Sequence, residues 1–115
     1  MRQPFAHSAV LDMAGEADLG APGAAITVEL CGDWEHPPPC PLAPHHTDAG
    51  RDGDVVRLRI LFAAEADAET TVRERIHAAL ASGQLGETRW RLRESAADAV
   101  RPAERDHAAR LAAGS

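Results

Sequence analysis

The strongest constraint on the fold is the alternation of apolar and charged residues from Val55 to Ala63. In an extended chain successive side chains point to opposite sides, so this alternation predicts a strand with one buried face. The buried side would carry only apolar residues and the other side arginines: Val56, Leu58, Ile60 and Phe62 against Arg57 and Arg59.

The sequence after this strand predicts a helix over Asp67–Ser82. Its apolar residues recur at the 3.6-residue spacing of a helix with one buried face, and Gly83 stands where a helix commonly ends. Further along, Thr88–Arg93 alternates again with Trp90 on the apolar side, and Pro102 suits the first turn of a helix over Ala103–Ala113. Before the central strand, Ala25–Leu30 also alternates and is expected to form another strand.

These elements predict an α+β two-layer sandwich, with a three- to four-stranded mixed sheet and two helices on one face. The strand–helix–strand unit favours a right-handed crossover between parallel strands. The early strand is expected to pair antiparallel to one of these strands or to lie between them. In outline the arrangement is similar to ferredoxin-like folds.

The domain boundaries follow from composition. Residues 1–24 contain Gly20, Pro22 and Gly23 and little periodicity beyond a short helix capped by Ser8, so a flexible N-terminal arm is expected. The alternative is a segment that docks on the core or on a second subunit. Residues 25–113 then form a single domain with a Pro/His/Cys loop at 31–54.

Charge and hydropathy exclude several classes of partner. The net charge is −6, which disfavours general binding to nucleic acid or to anionic membranes. No apolar run approaches the length of a membrane span and no signal-peptide pattern precedes residue 25, so a cytoplasmic location is expected. All twelve basic residues are arginines.

The segment from Cys31 to Asp48 is the best candidate for a functional site. It holds both cysteines and three of the six histidines, and several prolines that restrict its backbone. Trp34 is expected to anchor the loop on the core.

A zinc site is the sharpest interpretation of this loop. Two thiolates and two imidazoles make a tetrahedral ligand set, although the spacing lacks the usual paired-cysteine knuckle. The candidate metal ligands are Cys31, His36, Cys40 and either His45 or His46.

Three other interpretations of the loop stay open. Cys31 and Cys40 form a redox-active disulfide if the fold brings their Cα atoms within about 7 Å of each other. Cys40 with a neighbouring histidine is a nucleophile–base pair if the fold brings them together. The simplest alternative is structural, with cysteine acting as a small buried apolar residue and the histidines in solvent.

The motifs WEHPPPC (34–40) and PHHT (44–47) give the loop a family resemblance. The chain resembles, over residues 25–112, small functionally unassigned proteins of high-GC actinobacteria. The resemblance implies no activity and no site residues.

A second candidate site is the polar face of the predicted sheet. Five arginines are expected on the side away from the helices, which suits a small anion, an acidic protein partner or one half of a homodimer. These are Arg57, Arg59, Arg89, Arg91 and Arg93. A solvated face with cross-strand ion pairs is the structural alternative.

No residue pattern supplies the paired acid and base of an enzyme. The sequence therefore predicts a non-enzymatic metal- or ligand-binding module that uses the 31–48 loop. The alternative is a protein-interaction domain that uses the arginine face.

Overall fold

The structure is a computed structural model that describes residues 2–31 and 43–113, without the side chain of Cys31. Single 3-10 turns precede the second and third helices. In chain order the elements are β1 (Gln3–Asp12), α1 (Ala21–Cys31), β2 (His45–Asp52), β3 (Val55–Ala64), α2 (Glu69–Ala81), β4 (Gln84–Leu85), β5 (Thr88–Arg89), β6 (Arg91–Asp98) and α3 (Arg105–Ala113).

Within the described residues the main sheet has four strands in the order β2-β3-β1-β6, and every neighbouring pair is antiparallel. Because β3 and β6 both run antiparallel to β1, they run parallel to each other, as the strand–helix–strand pattern predicted. The α+β class is confirmed, but the predicted mixed sheet is wrong, because β1 lies between the two parallel strands and pairs antiparallel with both.

The N-terminal segment is the largest correction. Residues 3–12 were predicted to lie in a flexible arm, yet β1 occupies the middle of the sheet and pairs along its length with β3. Its buried side follows a two-residue period through His7, Ala9 and Leu11. Histidine and alanine weaken the apolar signal of that period, so the sequence alone does not indicate a strand here.

The strand predicted over Ala25–Leu30 is wrong, since these residues belong to α1. Ile26 and Leu30 are four residues apart, a spacing that fits one face of a helix as well as one face of a strand. A strand would place Val28 on the same face as Ile26 and Leu30, whereas a helix places it on another face. Val28 is 37% exposed while Ile26 and Leu30 are buried, as the helix requires. Asp18 precedes the helix and accepts a hydrogen bond from the Gly20 amide (2.9 Å).

The loop prediction for residues 31–54 is wrong over 45–52, which form β2. This edge strand has almost no apolar residues, so its signal lies in backbone pairing with β3 rather than in its side chains. Gly53 has a φ of 62° at the first position of the two-residue turn into β3, where type II′ hairpins place glycine. Residues 32–42 of the predicted loop lie outside the described residues.

The main core lies between the sheet and the pair α1 and α2. The alternating residues of β3 and the predicted stripe of α2 are buried there as expected. Trp90, between β5 and β6, is 7% exposed and its indole N–H donates to the Leu80 carbonyl oxygen (2.8 Å). A Cβ atom on Gly83 would lie 2.8 Å from the Trp90 carbonyl oxygen, so glycine is required where α2 ends.

The third helix lies on the opposite face of the sheet, against β1 and β3. Both predicted helices were expected on one face. Two helices do share a face, but the second of them is α1. Ala108 of α3 is buried, as are Ala6 and Leu61, which the strand register places on the α3 side. These apolar residues lie on the same face as the arginines, and α3 covers that part of the predicted polar face.

No helix in residues 2–31 or 43–113 is long and apolar enough to cross a membrane.

We expect Leu11→Ala to lower the free energy of unfolding by about 2–5 kcal/mol, because Leu11 is fully buried in the central strand. Val28→Ala, on the exposed side of α1, serves as the control and should change it by less than about 1 kcal/mol. Urea denaturation measures both. If both substitutions changed the free energy of unfolding by equally small amounts, the interpretation of residues 1–24 as an arm would be restored.

Candidate functional site

The predicted zinc ligands fall at the ends of two elements or outside the described residues. Cys31 is the last residue of α1, while His45 and His46 begin β2. His36, Cys40 and the anchor Trp34 lie outside the described residues. The described residues contain no group of three or more candidate metal ligands.

Both ring nitrogens of His45 already have hydrogen-bond partners. Nδ1 donates to the Ala43 carbonyl oxygen (3.0 Å), so Nε2 of the neutral ring accepts the hydroxyl of Thr27 (2.9 Å). Burial lowers the pKa of His45. His45 would have to give up the Thr27 contact before Nε2 bound a metal.

His46 projects to the other side of β2 from His45, because neighbouring residues of a strand face opposite ways. Its Nε2 lies 3.1 Å from Asp48 Oδ1, and its ring packs against His107 of α3 in a tilted arrangement with ring centroids 4.6 Å apart. The two adjacent histidines therefore do not converge on one metal ion.

Four of the five predicted surface arginines lie on the α3 side of the main sheet. Arg57 and Arg59 alternate with the buried residues of β3, and Arg91 and Arg93 belong to β6. Arg89 does not join them, since it pairs with Gln84 in the separate β4–β5 hairpin. Its expected place in the sheet was wrong because buried Trp90 separates β5 from β6.

Arg59 is fully engaged within the protein. Its side chain is 11% exposed and binds Glu104 through Nε (2.9 Å) and Nη2 (2.8 Å). Nη1 donates to Asp98 (2.6 Å) and Ser8 (2.9 Å), and Nη2 also donates to the Ala99 carbonyl oxygen.

The Arg59 contacts change the acidity of the carboxyl groups around it. Hydrogen bonding from Arg59 is the main reason that the pKa of Glu104 is lowered to about 2. The pKa of Asp98 is also lowered, chiefly by the hydrogen bond from Ser8. Arg59 thus holds the turn before α3 on the sheet and has no group left for a ligand.

Arg57 has the opposite environment. It is exposed, and within residues 2–31 and 43–113 its side chain makes no hydrogen bond or ion pair. It borders a cleft of about 370 Å³ on the part of the sheet that α3 leaves open, together with Ser8, Val10, Glu94 and Arg101. We call this the arginine cleft.

A second depression of about 350 Å³ also borders Arg57, Val10 and Glu94, and adds Arg93. Arg93 forms an ion pair with Asp12 at 3.5 Å. Three exposed guanidinium groups, on Arg57, Arg93 and Arg101, therefore surround a shallow floor of Val10. Glu94 and Asp98 are acidic groups in the lining of the arginine cleft, and Asp98 is paired with Arg59. The chemistry of the cleft suits a carboxylate or phosphate group.

A buried polar group that the sequence did not reveal is His7 of β1, which is 4% exposed. Its Nε2 lies 2.8 Å from Ser95 Oγ on β6, and its Nδ1 lies 3.2 Å from Arg73 Nη1 on α2. A pattern search for the two-residue period of β1 would have placed His7 on the core side.

The contact with Arg73 determines the tautomer of His7. Arginine only donates, so Nδ1 is the acceptor and Nε2 carries the proton, which it donates to Ser95. A general base must instead accept the serine proton. The pair is therefore not arranged for nucleophilic catalysis. Burial, with smaller effects from Arg73 and His77, lowers the pKa of His7 to about 4.

This lowered pKa predicts a loss of stability on acidification. The unfolded chain takes up a proton at His7 near its ordinary pKa of about 6.5, whereas the folded chain does so only near pH 4. The contribution of neutral His7 is complete above about pH 6.5 and falls as the pH drops towards 4.

His7→Gln should lose less stability than the wild type between about pH 7.5 and pH 5. His77→Gln, which alters only the smallest contribution to the shift, should behave like the wild type. The change in the urea midpoint of unfolding between the two pH values, measured for the wild type and both variants, tests this prediction. Equal losses in wild type and His7→Gln would contradict it.

The comparisons with known proteins add no family. The chain matches no protein-family model, and the comparison with curated proteins found no match.

Proposed function

We propose that the protein is a non-enzymatic binding domain whose arginine cleft docks an acidic segment of a partner protein. The observation that carries the proposal is Arg57, an exposed arginine without a partner in the described residues, at the edge of an open cleft. A structural arginine is expected to resemble Arg59, whose donors are used within the fold.

The arrangement around Arg57 supports an acidic partner in two ways. Arg93 and Arg101 add positive charge at the same surface, although the chain as a whole is acidic. The acidic remainder would repel an acidic partner elsewhere, so docking would be directed to the cleft. A free small anion is the other ligand that this chemistry suits.

The wider assignments agree with a binding domain. We assign the β-α-β-β-α-β order of the main elements to the ferredoxin-like group of folds, which serves many functions. The cytoplasmic location expected from the sequence remains a prediction, and so does the expected lack of nucleic-acid binding.

We expect an oligoglutamate peptide to bind the protein at about 50 mM salt and to bind more weakly at about 300 mM, because salt screens exposed charges. Arg57→Ala should weaken binding roughly fivefold, the equivalent of about 1 kcal/mol. The control is Arg75→Ala, an exposed arginine of α2 on the other side of the sheet, which should bind like the wild type. Isothermal titration calorimetry measures the affinity of the peptide for the wild type and for the two variants.

The proposal fails if the peptide does not bind, if binding ignores salt, or if both substitutions weaken it equally. Inorganic phosphate, added as a competitor, distinguishes the two ligand classes. Displacement of the peptide by millimolar phosphate would favour the small anion.

We propose zinc binding by the 31–48 segment as a second function. The observation in its favour is that Thr27, one helical turn before Cys31, contacts His45 at the start of β2. The end of α1 and the beginning of β2 are thereby held close together, as a shared site would need.

Protein purified without chelator should then contain about one zinc per chain by elemental analysis, and Cys40→Ser should lose it. Because His45 and His46 face opposite sides of β2, only one of His45→Ala and His46→Ala should lose the metal. Metal-free protein whose melting temperature is unchanged by chelator would exclude this function.

A further inference from the structure

The strand β6 lies at the outer edge of the main sheet. In the sheet formed by residues 2–31 and 43–113 it pairs only with β1, so one row of its backbone N–H and C=O groups faces outward. Such a row is a template for pairing with another strand. We propose that β6 pairs antiparallel with β6 of a second copy of this chain, about a two-fold axis at Ser95. This inference is independent of the arginine cleft.

A β-bulge at Arg93 makes this register geometrically consistent. Opposite β1, Leu11 pairs with Leu92 and Val10 with Glu94, which leaves Arg93 as the extra residue. The bulge changes which side of the strand each later residue faces.

The pairing to β1 identifies the residues on each side of β6. Leu92, Ser95 and Ala97 lie on the side of α1 and α2. The residues on the α3 side are Arg91, Glu94, Ala96 and Asp98.

With the axis at Ser95, each β6 residue lies opposite a β6 residue of the second copy whose side chain is on the same side of the joined sheet. Ser95 lies opposite Ser95 of the second copy, and Ala96 opposite the bulge at Arg93 and Glu94. Beyond the bulge, Ala97 meets Leu92 and Asp98 meets Arg91. Without the bulge, Asp98 would be paired with Leu92, which faces the other way.

Charge selects this axis over its neighbours. It places Arg91 opposite Asp98 of the second copy, and symmetry makes this pair twice. An axis at Ala96 would instead oppose Glu94 and Asp98, and an axis at Glu94 would oppose two glutamates. Like charges directly opposite are destabilising.

The side chains concerned are available for these contacts. Arg91 is exposed and has no ion pair within the described residues, and the Asp98 side chain is 43% exposed. Asp98 already accepts bonds from Ser8, Arg59 and the Ala99 amide. A carboxylate has about four lone-pair sites, so one more donor can be accommodated.

The groove between α2 and β6 gives the second copy something to fill. It measures about 400 Å³, and the exposed atoms of its lining are mostly apolar. Ala97 lies on its strand side, and Thr70, Glu74 and His77 lie on its helix side. In the proposed register Leu92 of the second copy, half-buried in the single chain, comes opposite Ala97 on the groove side. Apolar burial would then add to the strand pairing.

Cysteine cross-linking tests the register in a Cys31→Ser, Cys40→Ser background. Residues directly opposite in an antiparallel pair have Cα atoms about 4.5–5.5 Å apart, within disulfide range. Ser95→Cys should therefore form a covalent dimer on mild oxidation. Ala97→Cys, whose two copies would lie four positions or about 13 Å apart, should stay monomeric on a non-reducing gel.

A charge reversal tests the energetics without engineered thiols. Arg91→Glu should weaken the dimer at least roughly tenfold in sedimentation equilibrium, because two attractive pairs become repulsive. Arg89→Glu, in the β4–β5 hairpin, should leave it unchanged. Arg57→Ala should also leave it unchanged, which separates this dimer from one formed through the arginine cleft.

Cross-linking of neither cysteine variant, or of both equally, would overturn the proposal. So would a wild-type protein that sediments as a monomer at every concentration.

Discussion

The backbone pairing of β1 with both β3 and β6 is the interaction on which the rest of the structure depends. Without β1, the β2–β3 hairpin and β6 would have no sheet in common, and α2 would have no continuous surface to cover. The side chains of β1 serve both faces: Ala9 and Leu11 contribute to the main core, while Ala6 is buried on the α3 side. A strand of modest apolar content thus organises two layers.

The second constraint is the buried guanidinium of Arg59. Removing a charged group from water is costly unless it is paired, and Arg59 has carboxylate, hydroxyl and carbonyl partners. Its bonds to Glu104 fix where α3 begins, and so determine how much of the sheet the helix covers. The arginine cleft is part of the sheet surface that α3 leaves open. One arginine of β3 therefore shapes the site in which its neighbour Arg57 is exposed.

The histidines show why residue type alone is a weak guide to chemistry. His7 and His45 are held neutral by burial, and each uses both ring nitrogens to connect elements distant in sequence. In each case the hydrogen-bond partners determine the tautomer. The same partners direct these two rings away from acid–base work.

Local sequence determined the elements whose periodicity was unambiguous. Strand β3 and helix α2 were predicted because strong apolar residues repeat at one period only, and the α+β class follows from them. Ile26 and Leu30 fit both periods, and β2 has no apolar repeat, so α1 and β2 were not predictable from pattern. Tertiary structure alone decided that β1 is central and that α3 covers the second face of the sheet. It also decided that Arg57 is exposed while Arg59 is paired. Each of these features depends on contacts between residues far apart in the chain.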